Sequence, residues 1–324
     1  MYVLELGGED DAFATCEAAS AAEGIESLAT GLALARAVDP ERLRTLAYTL
    51  RVSRLVGRGE ATVESARALL EDAPLDRDGT VAVRARDVRR TTDIDTQRAE
   101  RRLGGVLTDR GYTVDLDAPD NELRALFADD SCTVGWLAAE SQRGFGSRAP
   151  TEKPFFQPGS MGPLFARALA NIAGARPGSV VLDPMCGTGG ILVEAGLVGA
   201  RVVGFDAQSK MARGAATNLA HYLDGESGSK FATGRADATH LPLADDAVDG
   251  VVFDAPYGRQ SKIEGDLHEV VRGALAEANR VAPRTVIVGD RPWTDAARAA
   301  GWEVEETFER RVHRSLTRHI AVLS

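Results

Sequence analysis

Residues 179–194 read Ser-Val-Val-Leu-Asp-Pro-Met-Cys-Gly-Thr-Gly-Gly-Ile-Leu-Val-Glu. The apolar run Val180 to Leu182 ends in an acidic residue, turns through glycines and enters an amphipathic pattern. That order predicts a buried strand, a tight turn and a helix. About 70 residues later a second apolar strand ends in Asp254-Ala-Pro-Tyr257. Between and around the two, helix and strand periods alternate. Helices are predicted over 163–173, 189–198, 209–222 and 265–281, and strands over 179–183, 201–206, 230–235, 248–253 and 284–289. Such alternation gives an α/β fold with a mostly parallel sheet, helices on both faces, and ligands at the carboxyl ends of the strands.

Upstream the pattern changes. Tyr2 to Leu6 reads as a strand, Asp11 to Glu23 as an alanine-rich helix, and Ala61 to Glu71 as another helix. Val81 to Arg86 alternates like a strand, Asp93 to Arg110 is helical, Thr113 to Leu116 is extended, and Cys132 to Ala138 is strand-like. The Gly- and Pro-rich stretch 144–162 has no sustained period and reads as a linker.

Composition narrows the class. At 324 residues, 44% hydrophobic and 27% charged, the chain has the make-up of a globular protein with room for two or three domains. It has no apolar run of membrane-spanning length and no basic-then-apolar leader, so the expected location is the cytoplasm. The three cysteines, Cys16, Cys132 and Cys186, lack paired ligand spacing, which predicts reduced thiols and no metal site. Cys186 lies inside the glycine turn without an evident His partner and reads as a small buried filler. The net charge of −10 argues at first against nucleic acid. Lysine is confined to Lys153, Lys210, Lys230 and Lys262, however, whereas arginine is abundant and clustered. An acidic, lysine-poor surface suits a salt-rich cytoplasm, although a GC-rich genome alone would also favour Arg over Lys, and local arginine patches become the place to look for polyanion contacts.

The glycine turn follows the first strand of the sheet, where Gly187 and Gly189 allow a cofactor to approach the backbone closely. Asp183 ends that strand and is placed to accept from an amino group or to bind through water. Asp206 ends the next strand, about 20 residues on, as ribose recognition requires, and Asp237 ends the third, where it can accept from an adenine amino group. Thr188, Ala207 and Ala238 flank these positions. The dinucleotide fingerprint fails at Leu192, so no pyrophosphate is provided for. The set fits an amino-acid-bearing nucleoside, S-adenosylmethionine, better than a dinucleotide.

Val251 to Gly258 specifies the chemistry. An exocyclic amine on a base is a poor nucleophile because its lone pair is delocalised into the ring. Acceptors on its two N–H bonds, Asp254 and the backbone carbonyl of Ala255 or Pro256, draw the nitrogen towards sp³ geometry. Tyr257 is positioned to stack on the base. Asp254, Pro256 and Tyr257 are thus the candidate catalytic residues of a methyl transfer to an amino nitrogen.

The two motifs resemble those of Rossmann-type methyltransferases with an Asp/Asn-Pro-Pro-Tyr motif that modify amino groups. The whole chain resembles archaeal tRNA guanine-N2 methyltransferases, which act at position 10 of tRNA and join a THUMP domain to the catalytic domain. The matching residues are Phe155-Phe-Gln-Pro-Gly-Ser-Met161, Asp183-Pro-Met-Cys-Gly-Thr-Gly189, Asp254-Ala-Pro-Tyr-Gly-Arg259, Val312-His-Arg-Ser-Leu-Thr-Arg-His319 and, in the amino half, Ala82-Val-Arg-Ala-Arg86. Ala255 stands where the family carries a first proline, which removes one fixed φ angle from the loop. The resemblance implies a Rossmann-like S-adenosylmethionine-dependent methyltransferase domain behind an α+β THUMP-containing region. The expected organisation is a ferredoxin-like region over 1–75, a THUMP domain over 76–143, the linker over 144–162 and the methyltransferase domain over 163–324. The implied reaction is mono- and dimethylation of guanosine N2 in tRNA by a monomer. The alternatives are another tRNA position, ribosomal RNA, or adenine or cytosine in DNA.

Arg84, Arg86, Arg89 and Arg90, followed by Arg98, Arg101 and Arg102, form the densest basic cluster and are the expected RNA contacts. The alternative is a solvated face paired with Asp87, Asp93, Asp95 and Glu100. Arg310, Arg311, Arg314 and Arg318, with His313 and His319, form a second cluster near the carboxyl end, for which phosphate contact is likewise the functional reading. THUMP domains grip tRNA at its acceptor end, which would set the distance to the modified base; a paired target guanine would have to be flipped out.

Overall fold

Two seven-stranded sheets carry most of the strands of this chain. The structure, a computed structural model, describes residues 1–74, 77–223, 230–257, 264–314 and 316–324, and of 264–266 the backbone alone. Gly258, Arg259 and Ser315 of the motifs quoted above lie outside the described residues. The chain divides into two units, Met1–Gln142 and Arg143–Ser324.

In the first unit the strands are β1 (Tyr2–Leu6), β2 (Ala22–Glu23), β3 (Glu26–Ala29), β4 (Leu32–Ala35), β5 (Ala37–Val38), β6 (Thr49–Glu60), β7 (Val81–Asp87), β8 (Asn121–Ala128) and β9 (Ser131–Glu140). The helices are α1 (Asp11–Ala18), α2 (Pro40–Leu43), α3 (Val63–Asp72) and α4 (Thr96–Asp109). The sheet order is β3-β4-β1-β6-β9-β8-β7, with β2 and β5 paired apart. Side-chain caps start the longer helices: Thr62 accepts the Ser65 N–H at 3.0 Å and Asp95 the Arg98 N–H at 3.0 Å. Along α4, Ala99, Leu103, Val106 and Leu107 fall on one helical face and are buried with Leu70, Phe127 and Trp136.

Three features of this unit differ from the sequence reading. The alanine-rich helix stops at Ala18, and Ala22–Glu23 pairs instead with Ala37–Val38. The buried Glu17 carboxylate accepts the N–H groups of Ala47 and Tyr48, each at 2.7 Å, a tertiary tie that helix propensity does not register. The twelve-residue β6 escapes the apolar-alternation test because it carries Gly57 and Gly59 among charged residues. Those glycines are needed: a Cβ at 57 would meet Leu69 at 2.8 Å and one at 59 would meet the Ser65 hydroxyl at 2.3 Å, both on α3. Finally, a single sheet spans residues 1–75 and 76–143, since β6 pairs with both β1 and β9.

In the second unit the strands are β10 (Val180–Asp183), β11 (Arg201–Asp206), β12 (Phe231–Arg235), β13 (Gly250–Asp254), β14 (Thr285–Gly289), β15 (Val304–His313) and β16 (Leu316–Leu323). The helices are α5 (Pro163–Ile172), α6 (Gly190–Leu197), α7 (Ser209–Leu223), α8 (Glu264–Val281) and α9 (Thr294–Ala299). Strands β10 to β14 are parallel, in the order β12-β11-β10-β13-β14; β16 follows antiparallel to β14 and is itself covered by β15. This is the Rossmann-like doubly wound sheet that the alternation predicts, with the chain reversing direction on either side of β10. The closing hairpin is absent from the sequence reading because Glu305, Glu306, Glu309, Arg310 and Arg311 mask its alternation.

Residues 144–162, expected as a linker, belong to the second unit, which begins at Arg143. Their turns are irregular, but their side chains are anchored. Arg148 donates from Nε to Glu194 Oε1 on α6 at 2.7 Å, and Arg167 on α5 pairs with Glu194 Oε2 at 2.8 Å. Glu194 is 1% exposed. Lys153 is also buried beside this group, and burial pushes its ammonium down from the ordinary lysine range while Glu194 opposes the shift. Removing one member of a buried ion cluster leaves the rest uncompensated, at a cost of about 3–5 kcal/mol. Glu194→Ala is therefore expected to destabilise the second unit by about that amount, read as a lowered denaturant midpoint, while Glu71→Ala, at an exposed position of α3, leaves it unchanged.

Candidate active site

At the carboxyl ends of β10 to β13 the second unit encloses a cavity of about 950 Å³. Its wall includes Asp183, Gly187, Thr188, Asp206, Ala207, Asp237, Ala238, Asp254, Pro256 and Tyr257, so the structure brings together ten of the residues singled out from the sequence. Gly189 has a different task. It sits at φ +73, where a Cβ would come within 3.1 Å of Ala215 Cβ, and so lets α6 leave the turn closely packed on α7.

The turn itself is built for a ligand's backbone approach. Gly187 has φ +50, and a side chain there would enter open space. Its N–H donates to Asp206 Oδ2 at 3.0 Å, and the Gln208 N–H donates to Asp206 Oδ1 at 2.8 Å. These bonds fix the carboxylate and leave lone pairs for vicinal hydroxyls. Asp237 is held in the same way by the Thr239 N–H and hydroxyl, which lower its pKa. Asp183 is 2% exposed and accepts the Met185 N–H at 3.0 Å. Burial, with Asp206 and Asp254 nearby, raises it well above the usual carboxylate range. Three acidic strand ends and a glycine turn fit a cationic, amino-acid-bearing nucleoside such as S-adenosylmethionine better than a phosphorylated one.

Across the cavity, β13 delivers Asp254. Burial pushes its pKa up to about 6, against the opposing pull of Arg318 and of the Tyr257 hydroxyl. The Tyr257 hydroxyl donates to Asp254, at 2.9 Å from Oδ1 and 3.1 Å from Oδ2. Arg318 on β16 donates from Nε to that same hydroxyl at 2.9 Å, and its Nη2 lies 3.6 Å from Asp254 Oδ2. Arg318 is only 8% exposed. Arg318, expected with its cluster to meet phosphate, is instead buried behind Asp254. Ala255, where the family pattern has proline, donates its N–H to the Val288 carbonyl at 2.8 Å. A proline could not make that bond, so the lost φ restraint is replaced by a rung between β13 and β14.

Two further contributors are Asn218, which carries no sequence signal, and Ser160, which lies within the Phe155–Met161 motif. Asn218 on α7 is fully buried; its Nδ2 donates to the carbonyls of Thr188 and Phe155 and its Oδ1 accepts the Phe155 N–H, each at 2.8 Å. Ser160 lies 3.2 Å, hydroxyl to hydroxyl, from Thr188. Together they fasten the Phe155–Met161 segment to the glycine turn, and Gln157 to Met161 form part of the cavity wall.

A family profile described as an RMKL-like methyltransferase domain matches residues 150–320, and a THUMP profile matches residues 60–136. The chain belongs to the RMKL-like methyltransferases. The tRNA (guanine(10)-N2)-dimethyltransferase of Methanothermobacter thermautotrophicus is 35% identical over 288 residues, covering 86% of this chain and 83% of the relative. The enzyme of the same name from Pyrococcus abyssi is 30% identical over 76% of this chain and 74% of its own length. The crystal structure of TrmN from Thermus thermophilus aligns with 100% of this chain and 99% of its own, at 25% identity and a TM-score of 0.49. The resemblance read from the sequence motifs is borne out.

The arginines expected to meet RNA lie in the THUMP-matching part of the first unit. Arg84 donates to the Leu116 carbonyl at 2.6 Å, Arg86 pairs with Glu5 at 3.5 Å, and Arg89 pairs with Asp11. Arg90 is exposed and, like Arg89, has a positive φ. Internal acids thus occupy part of this cluster. Among the described residues no helix is long and apolar enough to cross a membrane, and no group of His, Cys, Asp or Glu is placed to hold a metal ion.

Arg318 lowers the Asp254 pKa, so removing the guanidinium has to raise it. In Arg318→Met the Asp254 carboxyl is expected to titrate clearly above 6, followed by carbon NMR of labelled carboxyl groups; an unchanged midpoint would show that the contact has no electrostatic weight.

Proposed function

We propose that this protein is a cytoplasmic tRNA (guanine-N2)-methyltransferase, acting as a monomer at position 10 and giving mono- and then dimethylated product with S-adenosylmethionine as donor. The observation that carries this reading is the Asp254–Tyr257–Arg318 group, facing the glycine turn and Asp206 across one cavity. The names of the relatives supply the class of substrate and the position.

When bound, S-adenosylmethionine supplies an electrophilic methyl group. Asp206 would hold its ribose hydroxyls, Asp237 its adenine amino group and Asp183 its ammonium, with Gly187, Thr188, Ala207 and Ala238 shaping the walls. Asp254 accepts one N–H of the guanine amine, and the Ala255 or Pro256 carbonyl the other. Both bonds pull the nitrogen lone pair out of conjugation. The Tyr257 hydroxyl is committed to Asp254, which fixes the ring as a stacking surface for the base. As the nitrogen gains a methyl it loses a proton, and the Asp254 carboxylate takes it. A group titrating near 6 can release that proton at neutral pH before a second transfer. In the first unit, Arg84, Arg86, Arg89 and Arg90 would contribute phosphate contacts, with part of their charge directed inward by Glu5 and Asp11.

The test is incubation with labelled S-adenosylmethionine and unmodified tRNA transcript, followed by nucleoside analysis. Label in N2-methyl- and N2,N2-dimethylguanosine at position 10 is the expected result. The same products at another position would move the site of action, and label in methyladenosine would refute the guanine assignment. Asp254→Asn is expected to lower kcat by about 10²–10³-fold with cofactor affinity retained. Asp206→Ala should instead weaken cofactor binding, read by calorimetry. Because acceptance requires the ionised carboxylate, wild-type kcat should be flat at neutral pH and fall as pH drops through about 6, the Asp254 value.

A further inference from the structure

The carboxyl-terminal hairpin of β15 and β16 places charge where sheet stability alone disfavours it. From Arg310 to His319 the sequence holds four arginines, two histidines and no Asp or Glu, in a chain of net charge −10. Arg310 and Arg318 are directly opposed across the two strands, and Arg311 follows opposite Thr317. Like charges directly opposite on a sheet are unfavourable. Phe165 relieves part of this: the Arg310 guanidinium lies 4.9 Å and that of Arg318 5.9 Å from its ring centre. Arg311 and Arg314 are exposed.

The register shows where this charge points. Gly289, the last residue of β14, pairs with His319, so Leu316 to Arg318 and their partners on β15 run past the carboxyl end of β14. That is the side on which Asp183, Asp206 and Asp254 end their strands and line the cavity. At about 3.4 Å per residue, Arg311 to Arg314 extend roughly 10 Å beyond the Arg318 pair. The same hairpin therefore has a buried base that holds Tyr257 and Asp254 and a cationic end beside the mouth of the site.

We propose that the exposed end of this hairpin, through Arg311 and Arg314, grips the phosphate backbone of the RNA strand that flanks the base presented to Asp254. This inference rests on the RNA methyltransferase reading and adds a contact at the reacting end of the molecule, separate from the THUMP-matching arginines. A local grip there opposes the tendency of an extruded base to restack, because the flanking phosphates are held while the base occupies the cavity. The short reach from Arg318 to the apex keeps this contact in register with the acceptor carboxylate.

The test compares wild type with Arg311→Gln/Arg314→Gln and with the charge-reversed Arg311→Glu/Arg314→Glu, each checked for an unchanged melting temperature. Binding of the unmodified tRNA transcript is measured directly over a range of salt, alongside methylation kinetics and cofactor affinity. The expected result is a KM for tRNA raised tenfold or more in the Gln pair and further in the Glu pair, with cofactor affinity and kcat at saturating tRNA unchanged. The plot of log affinity against log salt should become shallower by about 1.4–1.8, the value for two lost phosphate contacts. Unchanged tRNA affinity and salt slope in both folded variants would overturn the inference while leaving the methyltransferase reading intact. Because binding is read without turnover, a wild type that binds tRNA but fails to methylate it would count against the proposed reaction and leave the hairpin contact decided by its own measurement.

Discussion

A carboxylate at the end of a buried strand loses most of its hydration, and the burial of Asp254 raises its pKa accordingly. The chemistry assigned to it needs the ionised form. The protein meets these opposed demands with two donors from separate places: the Tyr257 hydroxyl from the same loop and the Arg318 guanidinium from the last strand. Arg318 is itself buried and would be costly without partners. Its stabilisation comes from the Tyr257 oxygen, from Asp254 and from the face of Phe165. Asp254, Tyr257 and the closing hairpin thus form one electrostatic unit.

The opposite wall of the cavity is likewise held by side chains from separate elements. A glycine turn is conformationally permissive, which lets a ligand approach but leaves the turn itself poorly restrained. Asp206 bonds the Gly187 N–H, and Asn218 bonds the Thr188 carbonyl while holding Phe155 at both its N–H and its carbonyl. The segment before α5 is thereby part of the wall. Glu194, with Arg148 and Arg167, ties the same segment down from behind.

Much of the site was legible in the sequence because each strand end carries its functional residue immediately after an apolar run. Asp183, Asp206 and Asp254 could be placed from one-dimensional pattern alone, and β10 and β11 formed close to where that pattern put them. Arg318 was visible only as one of several arginines, because what separates it from Arg311 is three-dimensional burial. Asn218 had no signal, since a polar residue on an amphipathic helix reads as solvent-facing. The β6 strand and the final hairpin were missed where glycine or charge interrupted the alternation. The stretch 144–162 reads as a linker because irregular backbone and weak packing look alike in sequence; the burial of Lys153 and Glu194 distinguishes them.

The place of β16 in the sheet has a consequence for biosynthesis. It lies between β14 and β15, pairing with both, and Leu323 sits opposite Thr285 and Val304. The sheet of the second unit therefore cannot close until residues 316–323 have cleared the ribosomal exit tunnel, and the Arg318 support of Asp254 arrives with them. Residues 1–142, a contiguous unit with its own core, face no such delay. During translation the THUMP-matching unit can therefore be finished while Asp254 still lacks the Arg318 guanidinium, so the two units are completed in sequence.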